Sequence, residues 1–327
     1  MKRRKNTGSI LFFGAVLILL MVMLYSGFQI LESTVFFQPT AAEQTERKTI
    51  IRDGTEYFPR QDLTVVMLLG IDQEGPVTDS GIYNNHGAAD MVMLLVFDEK
   101  EQVCNILQLN RDSMVNMPVL GIGGREAGTY FGQLALAHTY GSGLEDSCEN
   151  TRKTVSDLLY GLSIDYYMAM NMDAIALFND AVGGVTVHVT EDFSQVDPTI
   201  GMGEVKLMGQ QAINFVRIRK DVGDQLNLTR LDRQEEYLTG FRAAFRARQE
   251  NDPEFIVTAY NDAAPYLVTD CSVKALSGMA DRYADYEIGE VVSPEGENVL
   301  GEEYFEFYLD EEKLDALILD MFYAPKK

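Results

Sequence analysis

The sequence predicts an α/β sandwich, a sheet layered with helices, carried behind one membrane-spanning helix. Three features lead there. From residue 63 onward, apolar runs of strand length alternate with stretches of helical spacing, the pattern of a sheet-and-helix domain. Those runs are apolar throughout rather than at every second position, as in strands covered on both faces. The third feature is an uncharged apolar stretch, residues 9–31, behind a basic start.

In chain order, residues 1–8 hold Lys2, Arg3, Arg4 and Lys5 and form a cytoplasmic tail. SILFFGAVLILLMVMLYSGFQIL (9–31) follows, 23 residues without a charge. As a helix it spans roughly 34 Å, enough to cross a hydrocarbon core of about 30 Å. A cleaved signal peptide has a shorter apolar region of about 7–15 residues. An uncleaved anchor is therefore favoured, with the basic flank inside and the chain from Glu32 onward outside the cell. Residues 32–60 are polar and lack a clear period, so they read as a spacer. Residues 61–327 are taken as one domain.

Within it, LTVVMLLG (63–70), DMVMLLVF (90–97) and VCNILQL (103–109) are predicted strands. Helical spacing runs through 147–162. DYYMAMN (165–171) reads as a strand, DAIALFNDAV (173–182) as a helix and VTVHV (185–189) as a strand, with Gly183-Gly184 ending the helix. From residue 226 a long amphipathic helix is expected, then helical signals over 253–281. Strands are expected at 286–292 and 304–309, and a closing helix from Asp310.

Composition narrows the function. Hydrophobic residues are 46% of the chain, enough for a core and too many for general disorder. Net charge is −23, and setting aside the +4 of the first 31 residues leaves −27 on the rest. That field excludes nonspecific binding to nucleic acid or to an anionic membrane surface. Cys104, Cys148 and Cys271 allow either one disulfide with a free thiol or three buried thiols. His86, His138 and His188 show no metal-ligand spacing. With no Gly-x-Ser-x-Gly elbow, P-loop or dinucleotide fingerprint, the ordinary hydrolase, kinase and dehydrogenase readings lose support.

Against this acidic background FVRIRKDVGDQLNLTRLDRQ (215–234) gathers Arg217, Arg219, Lys220, Arg230 and Arg233. If FVRIR is extended, Phe215, Arg217 and Arg219 face one way. On the helix that follows, Arg230, Arg233 and Gln234 share a surface. The two groups could converge on one anion, which guanidinium forks suit well. Should FVRIR instead continue the helix begun at MGQQAIN, Arg217 and Arg219 would diverge. The plainer alternative for Arg233 is a salt bridge to Asp221, Asp224 or Asp232. Asp72 at the exit of one strand and Asp90 at the start of the next are reasonable magnesium ligands, although aspartate at strand ends is also common turn chemistry. Arg111, in the NRD that follows strand 103–109, should emerge beside them.

The order of GID, AADMVMLLVFD, ILQLNRDSMV, LALAHTYGSG, SIDYYMAMNMDAIALFNDAVGGVTVHV, FVRIRKD and LTRLDRQ resembles the LytR-CpsA-Psr family from about residue 62 to the C-terminus. The resemblance implies an α/β/α sandwich with a central mixed sheet. It also implies a membrane-anchored, extracytoplasmic phosphotransferase that uses magnesium, or manganese in its place. Such an enzyme moves a glycopolymer from a polyprenyl-pyrophosphate carrier to peptidoglycan. Position by position, Asp72 and Asp90 match the metal-associated acids, and Arg111, Arg217, Arg219, Arg230 and Gln234 match residues that hold pyrophosphate. Arg233, also assigned to pyrophosphate, and Asp112 match motif positions of less defined role. Two departures remove positive charge: Ala88 stands where a basic residue is usual, and Gln133 where lysine is usual. Lys220 or Arg125 could substitute. The alternatives are a non-catalytic binder of lipid-linked pyrophosphates that regulates the envelope, and a pyrophosphatase.

Overall fold

In the computed structural model, residues 49–326 are described apart from short stretches at 84–86, 122–123, 219–221, 223–226, 253–254, 273–274, 276–277, 280–281, 284–285 and 302–303. The expected anchor (9–31) and the first part of the spacer lie outside the described residues. No described helix is long and apolar enough to cross a membrane. The chain forms a mixed α/β fold around a central mixed sheet. The one domain expected divides into two compact units, 38–171 with 267–271 and 285–327, and 172–266 with 272–284.

The first unit is built on the sheet. β1 (Ile50–Arg52) and β2 (Thr55–Pro59) form a hairpin. After it come β3 (Leu63–Ile71), β4 (Ala89–Asp98), β5 (Val103–Leu109), β6 (Met114–Leu120) and β7 (Glu126–Gln133). A 3-10 helix (Leu134–Tyr140), α1 (Glu145–Leu158) and β8 (Tyr166–Asn171) follow. β11 (Leu267–Thr269), β12 (Glu287–Val292), β13 (Gly296–Leu300), β14 (Phe305–Leu309), α6 (Glu311–Phe322) and β15 (Tyr323–Pro325) complete it.

Six strands make the central sheet in the order β11-β8-β3-β4-β5-β12. β8 runs parallel to β3, β12 runs parallel to β5, and the other pairs are antiparallel. The continuous apolarity of β3 has the predicted consequence. Val65, Met67, Leu69 and Ile71 join a core with Val155 of α1 and Ile318 and Phe322 of α6, while Val66 and Leu68 on the opposite face are also buried. Asp310 caps α6, its carboxylate accepting from the Lys313 amide at 3.2 Å.

The spacer reading is corrected at its end. Ile50 and Tyr57 pack on the core, and β15 adds to β2 as a third strand. Arg60 fixes this corner, reaching Asp62 at 2.7 Å and Asp98 at 2.8 Å. The polar composition of 32–60 hid a hairpin that uses only a few apolar side chains.

The second unit holds α2 (Asp173–Ala181), β9 (Val185–Val189), β10 (Gly203–Leu207), α3 (Gln210–Arg217), α4 (Asn227–Asn251) and α5 (Phe255–Ala263). Gly183 and Gly184, at φ 86° and 91°, turn the chain from α2 into β9 as the sequence predicts. α4 buries one stripe, Arg233, Tyr237, Phe241 and Phe245, at every fourth residue. It lies along β9: the Glu236 carboxylate accepts from the His188 amide at 2.8 Å, and a Cβ at Gly240 would come within 2.9 Å of Val185 and closer still to the Thr186 carbonyl. Alanine normally gains about 1 kcal/mol over glycine inside a helix, whereas overpacking against backbone costs about 1–3 kcal/mol. Gly240→Ala is therefore expected to lower the urea midpoint despite its better helix propensity.

All three cysteines are buried free thiols, which resolves the open alternative in favour of no disulfide. Burial pushes the Cys104 and Cys271 thiols up to about 12, so they stay protonated and unreactive at neutral pH.

Candidate functional site

In the sheet unit the candidate residues collect at one edge. The antiparallel β3–β4 pair places the exit of β3 beside the start of β4, and β5 ends next to that start, with Leu109 opposite Val92. Asp72, Asp90 and Arg111 thus belong to neighbouring strand ends, as expected. Asp72 is exposed, its amide bonded to the Ala88 carbonyl at 2.9 Å. Asp90 occupies a bulge: Gly70 pairs with Met91 and Ile71 with Ala89, leaving Asp90 as the extra residue. A bulge re-aims a side chain out of the regular alternation, and nothing in the sequence pattern announces it.

Arg111 pairs with Asp90 and stands 3.4 Å from Asp112. The three side chains are 37%, 31% and 30% exposed, accessible to a ligand yet already oriented. Their turn is held by backbone. The Asp112 amide bonds to the Asn110 side chain at 3.0 Å, Ala135 donates to the Arg111 carbonyl at 3.0 Å, and Phe307 donates to the Asp112 carbonyl at 2.9 Å. Gln133 donates to the Asp112 carboxylate at 2.9 Å. The position where the resemblance implies lysine therefore donates a hydrogen bond to the acid without carrying a charge.

His138, unassigned from sequence, supports this edge from below. It is 1% exposed, and its Nδ1 lies 2.7 Å from the Gly87 carbonyl, one residue before the Ala88 that holds Asp72. Burial drops its pKa to about 4, so the ring is neutral and Nδ1–H donates. Nε2 faces the Cys148 thiol at 4.0 Å. A small recess bounded by Ile71, Gln73, His138, Met170 and Asn171 adjoins Asp72.

In the other unit the extended reading of FVRIR is corrected. α3 continues through Arg217, and Ile218 is extended. Ala212, Ile213, Phe215 and Val216 are buried at helical spacing, leaving Arg217 exposed at the helix C-terminus, where a cation also suits the helix dipole. Arg219, Lys220 and the side chains of Arg230 and Gln234 lie outside the described residues.

Arg233 has contacts that the sequence reading did not name. It is 6% exposed and forms an ion pair with Glu191, with Nε 2.9 Å from Oε2 though not aligned as a hydrogen bond. A second guanidinium nitrogen donates to the Ile218 carbonyl at 2.5 Å. The group lies over Phe193 at 5.1 Å and Phe215 at 6.0 Å. These contacts lie within this unit. Glu191 carried no signal in the sequence.

Among the described residues no three His, Cys, Asp or Glu side chains group as a metal cage. Asp72 and Asp90 still suit a magnesium ion, which keeps several waters and needs only one or two carboxylates beside phosphate oxygens.

The LytR_cpsA_psr family model matches residues 32–318. A polyisoprenyl-teichoic acid–peptidoglycan teichoic acid transferase, TagU, from Oceanobacillus iheyensis is 27% identical over 69% of this chain and 66% of its own length. TagU from Bacillus subtilis is 25% identical over 58% of this chain and 54% of its own. The chain thus spans between about half and two thirds of the curated relatives it matches. In fold it is similar to Bacillus subtilis TagT, with a TM-score of 0.54 at 23% identity, covering 86% of this chain and 98% of that one.

Proposed function

The chain belongs to the LytR-CpsA-Psr family, and on that premise we propose that it is an extracytoplasmic phosphotransferase attaching a glycopolymer to peptidoglycan. The donor is a polyprenyl-pyrophosphate-linked polymer; the named relatives, transferases of polyisoprenyl-linked teichoic acid, support that substrate class. In this reading residues 9–31 anchor the protein, the domain lies outside the membrane, and its layers form an α/β/α sandwich.

The observation that carries the reading is the Asp90–Arg111–Asp112 cluster at the strand ends. An acceptor hydroxyl oxygen bonds to the sugar-linked phosphorus, the anhydride P–O bond breaks, and polyprenyl phosphate leaves with the bonding pair. Arg111 presents five donors in a fixed fork, so it can hold Asp90 and donate to a phosphate oxygen on another edge. By the motif positions they match, Arg217, Arg219, Arg230 and Gln234 are assigned to pyrophosphate and would take up charge as phosphate departs. Asp72 and Asp90 would hold magnesium, or manganese, which supplies neutralisation of the diphosphate charge. Asp112 is a candidate acceptor of the hydroxyl proton, with the Gln133 amide holding its carboxylate in place.

The uncharged Gln133 and Ala88 favour a second reading, a binder that grips the lipid-linked anion without chemistry. Purified full-length protein in detergent, given polyprenyl-pyrophosphate saccharide, magnesium and peptidoglycan fragments, separates the two. Saccharide attached to peptidoglycan with release of polyprenyl phosphate is expected. Release without attachment would mean hydrolysis, and intact donor would mean a binder. Gln133→Lys, restoring a cation beside Asp112, should raise transfer several-fold; a single charged hydrogen bond to a phosphate is worth about 1.5–3 kcal/mol at most. An unchanged rate would show that Gln133 is not near the reacting charge.

A further inference from the structure

The β6–β7 hairpin differs from the rest of this acidic chain in its charge. Of all residues 24% are charged, yet 113–133 hold only Arg125 and Glu126, both far along the chain from Gln133. Among the described strands β7 pairs only with β6, and six of its eight residues are exposed. A strand exposed along one edge usually carries charges that keep it solvated and unpaired. Loss of charge together with exposed aromatic side chains is instead the composition of an interface.

The register shows which face is open. Val115 and Met117 of β6 belong to the core. Tyr130, opposite Met117, lies beside Tyr140 with ring centroids 5.7 Å apart. Side chains alternate across a strand, so the other face carries Asn116 opposite Phe131 and Met114 opposite Gln133. Phe131 is 50% exposed, and Asn116 across the ladder is exposed as well. A single apolar side chain in water needs no explanation, but this one leads to the site. Gln133 follows two residues along the same face, roughly 7 Å away. It donates to the Asp112 carboxylate at 2.9 Å.

We propose that the Phe131–Asn116 strip is the subsite for the acceptor glycan of peptidoglycan. This rests on the transferase reading above and adds the surface that receives the second substrate. A sugar ring has a face of C–H groups that packs flat on an aromatic ring. Its hydroxyl and acetamido groups exchange hydrogen bonds with a carboxamide, which both donates and accepts. Neither contact needs a cation. The donor, by contrast, is anionic at its pyrophosphate and calls for guanidinium or ammonium groups, which the strip lacks. A glycan seated on Phe131 and running toward Gln133 would bring a hydroxyl to Asp112, the candidate acceptor of its proton.

The test measures binding by calorimetry on full-length protein in detergent. The probes are a peptide-free peptidoglycan tetrasaccharide, a free stem peptide and a C15 prenyl pyrophosphate. Phe131→Ala should weaken the tetrasaccharide about 10-fold, the equivalent of one lost ring contact. Phe131→Tyr keeps a ring and should stay close to wild type, with Asn116→Ala between the two. Both positions are exposed, so the variants should fold, and a urea midpoint checks this. In transfer assays the loss should fall on KM for the glycan. Wild-type affinity for the tetrasaccharide in Phe131→Ala overturns the subsite, as does a wild-type protein that binds no tetrasaccharide. A loss confined to the stem peptide would make β7 a peptide-docking strand, and one confined to the prenyl pyrophosphate would give the strip to the donor. Either result overturns the proposal. Tetrasaccharide held through Phe131 by a protein that transfers nothing would support the glycan subsite and remove the transferase reading alone.

Discussion

Replacing Arg111 by alanine should lower glycopolymer transfer roughly 10–150-fold, the equivalent of one lost charged hydrogen bond of about 1.5–3 kcal/mol, while leaving the protein folded. Two consequences of the geometry combine. Arg111 is the described cation at the strand-end cluster, paired with Asp90 and close to Asp112. Its removal takes a donor from the phosphate and also leaves two neighbouring carboxylates facing an anionic substrate. Stability should change little, because all three side chains are about one third exposed and exposed ion pairs contribute only about 0–1 kcal/mol. Arg111→Lys should fall between the two, keeping the charge and losing the fork. The measurement is single-turnover transfer at saturating donor together with a urea midpoint. A transfer rate within twofold of wild type in Arg111→Ala would remove this residue from the chemistry.

The sheet was legible where hydrophobicity alone decides the outcome. β3, β4 and β5 are continuous apolar runs, and their ends carry Asp72, Asp90 and Arg111, so the candidate cluster could be placed at one sheet edge. The bulge at Asp90 could not, because a one-residue insertion leaves the apolar pattern of β4 intact. The choice between the two readings of FVRIR stayed open for a related reason. Five residues are too few to separate a period of 2 from a period of 3.6, and the decisive signals lie upstream: Gly209 turning the chain at φ 48° and Gln210–Asn214 opening the helix. The β6–β7 hairpin escaped notice because six of the eight residues of β7 are exposed, leaving no apolar face to read. Arg233 shows the limit of charge arithmetic. A cation on a helix reads as a solvated or ligand-binding group, and only the fold brings Glu191 and two phenyl rings around it.

Acidification should destabilise the fold through His138, and the sign follows from its surroundings. Burial holds its pKa near 4, against an ordinary 6.5. The unfolded chain therefore binds the proton more readily, and the stability that depends on a neutral ring is full above about pH 6.5. It falls away as the pH drops toward 4. Facing the ring are the Gly87 carbonyl, the Cys148 thiol and, at longer range, Asp146. The thiol is itself held protonated by burial, and the pull of Asp146 does not overcome the loss of hydration. A full shift of this size corresponds to about 3 kcal/mol, of which about 2 kcal/mol should be lost between pH 7 and pH 5, above the range where ordinary carboxylates protonate. Urea unfolding at the two pH values measures it, with His138→Gln as the reference. That variant should start less stable, having lost a buried packing group, yet show a nearly flat response across the same interval. A wild-type slope equal to that of the variant would place the titration elsewhere. The same proton should also disturb the site, because a buried charge on His138 favours opening of its surroundings, which include Gly87, the residue before the Ala88 that holds Asp72. Transfer activity should accordingly fall over this interval more steeply in wild type than in His138→Gln.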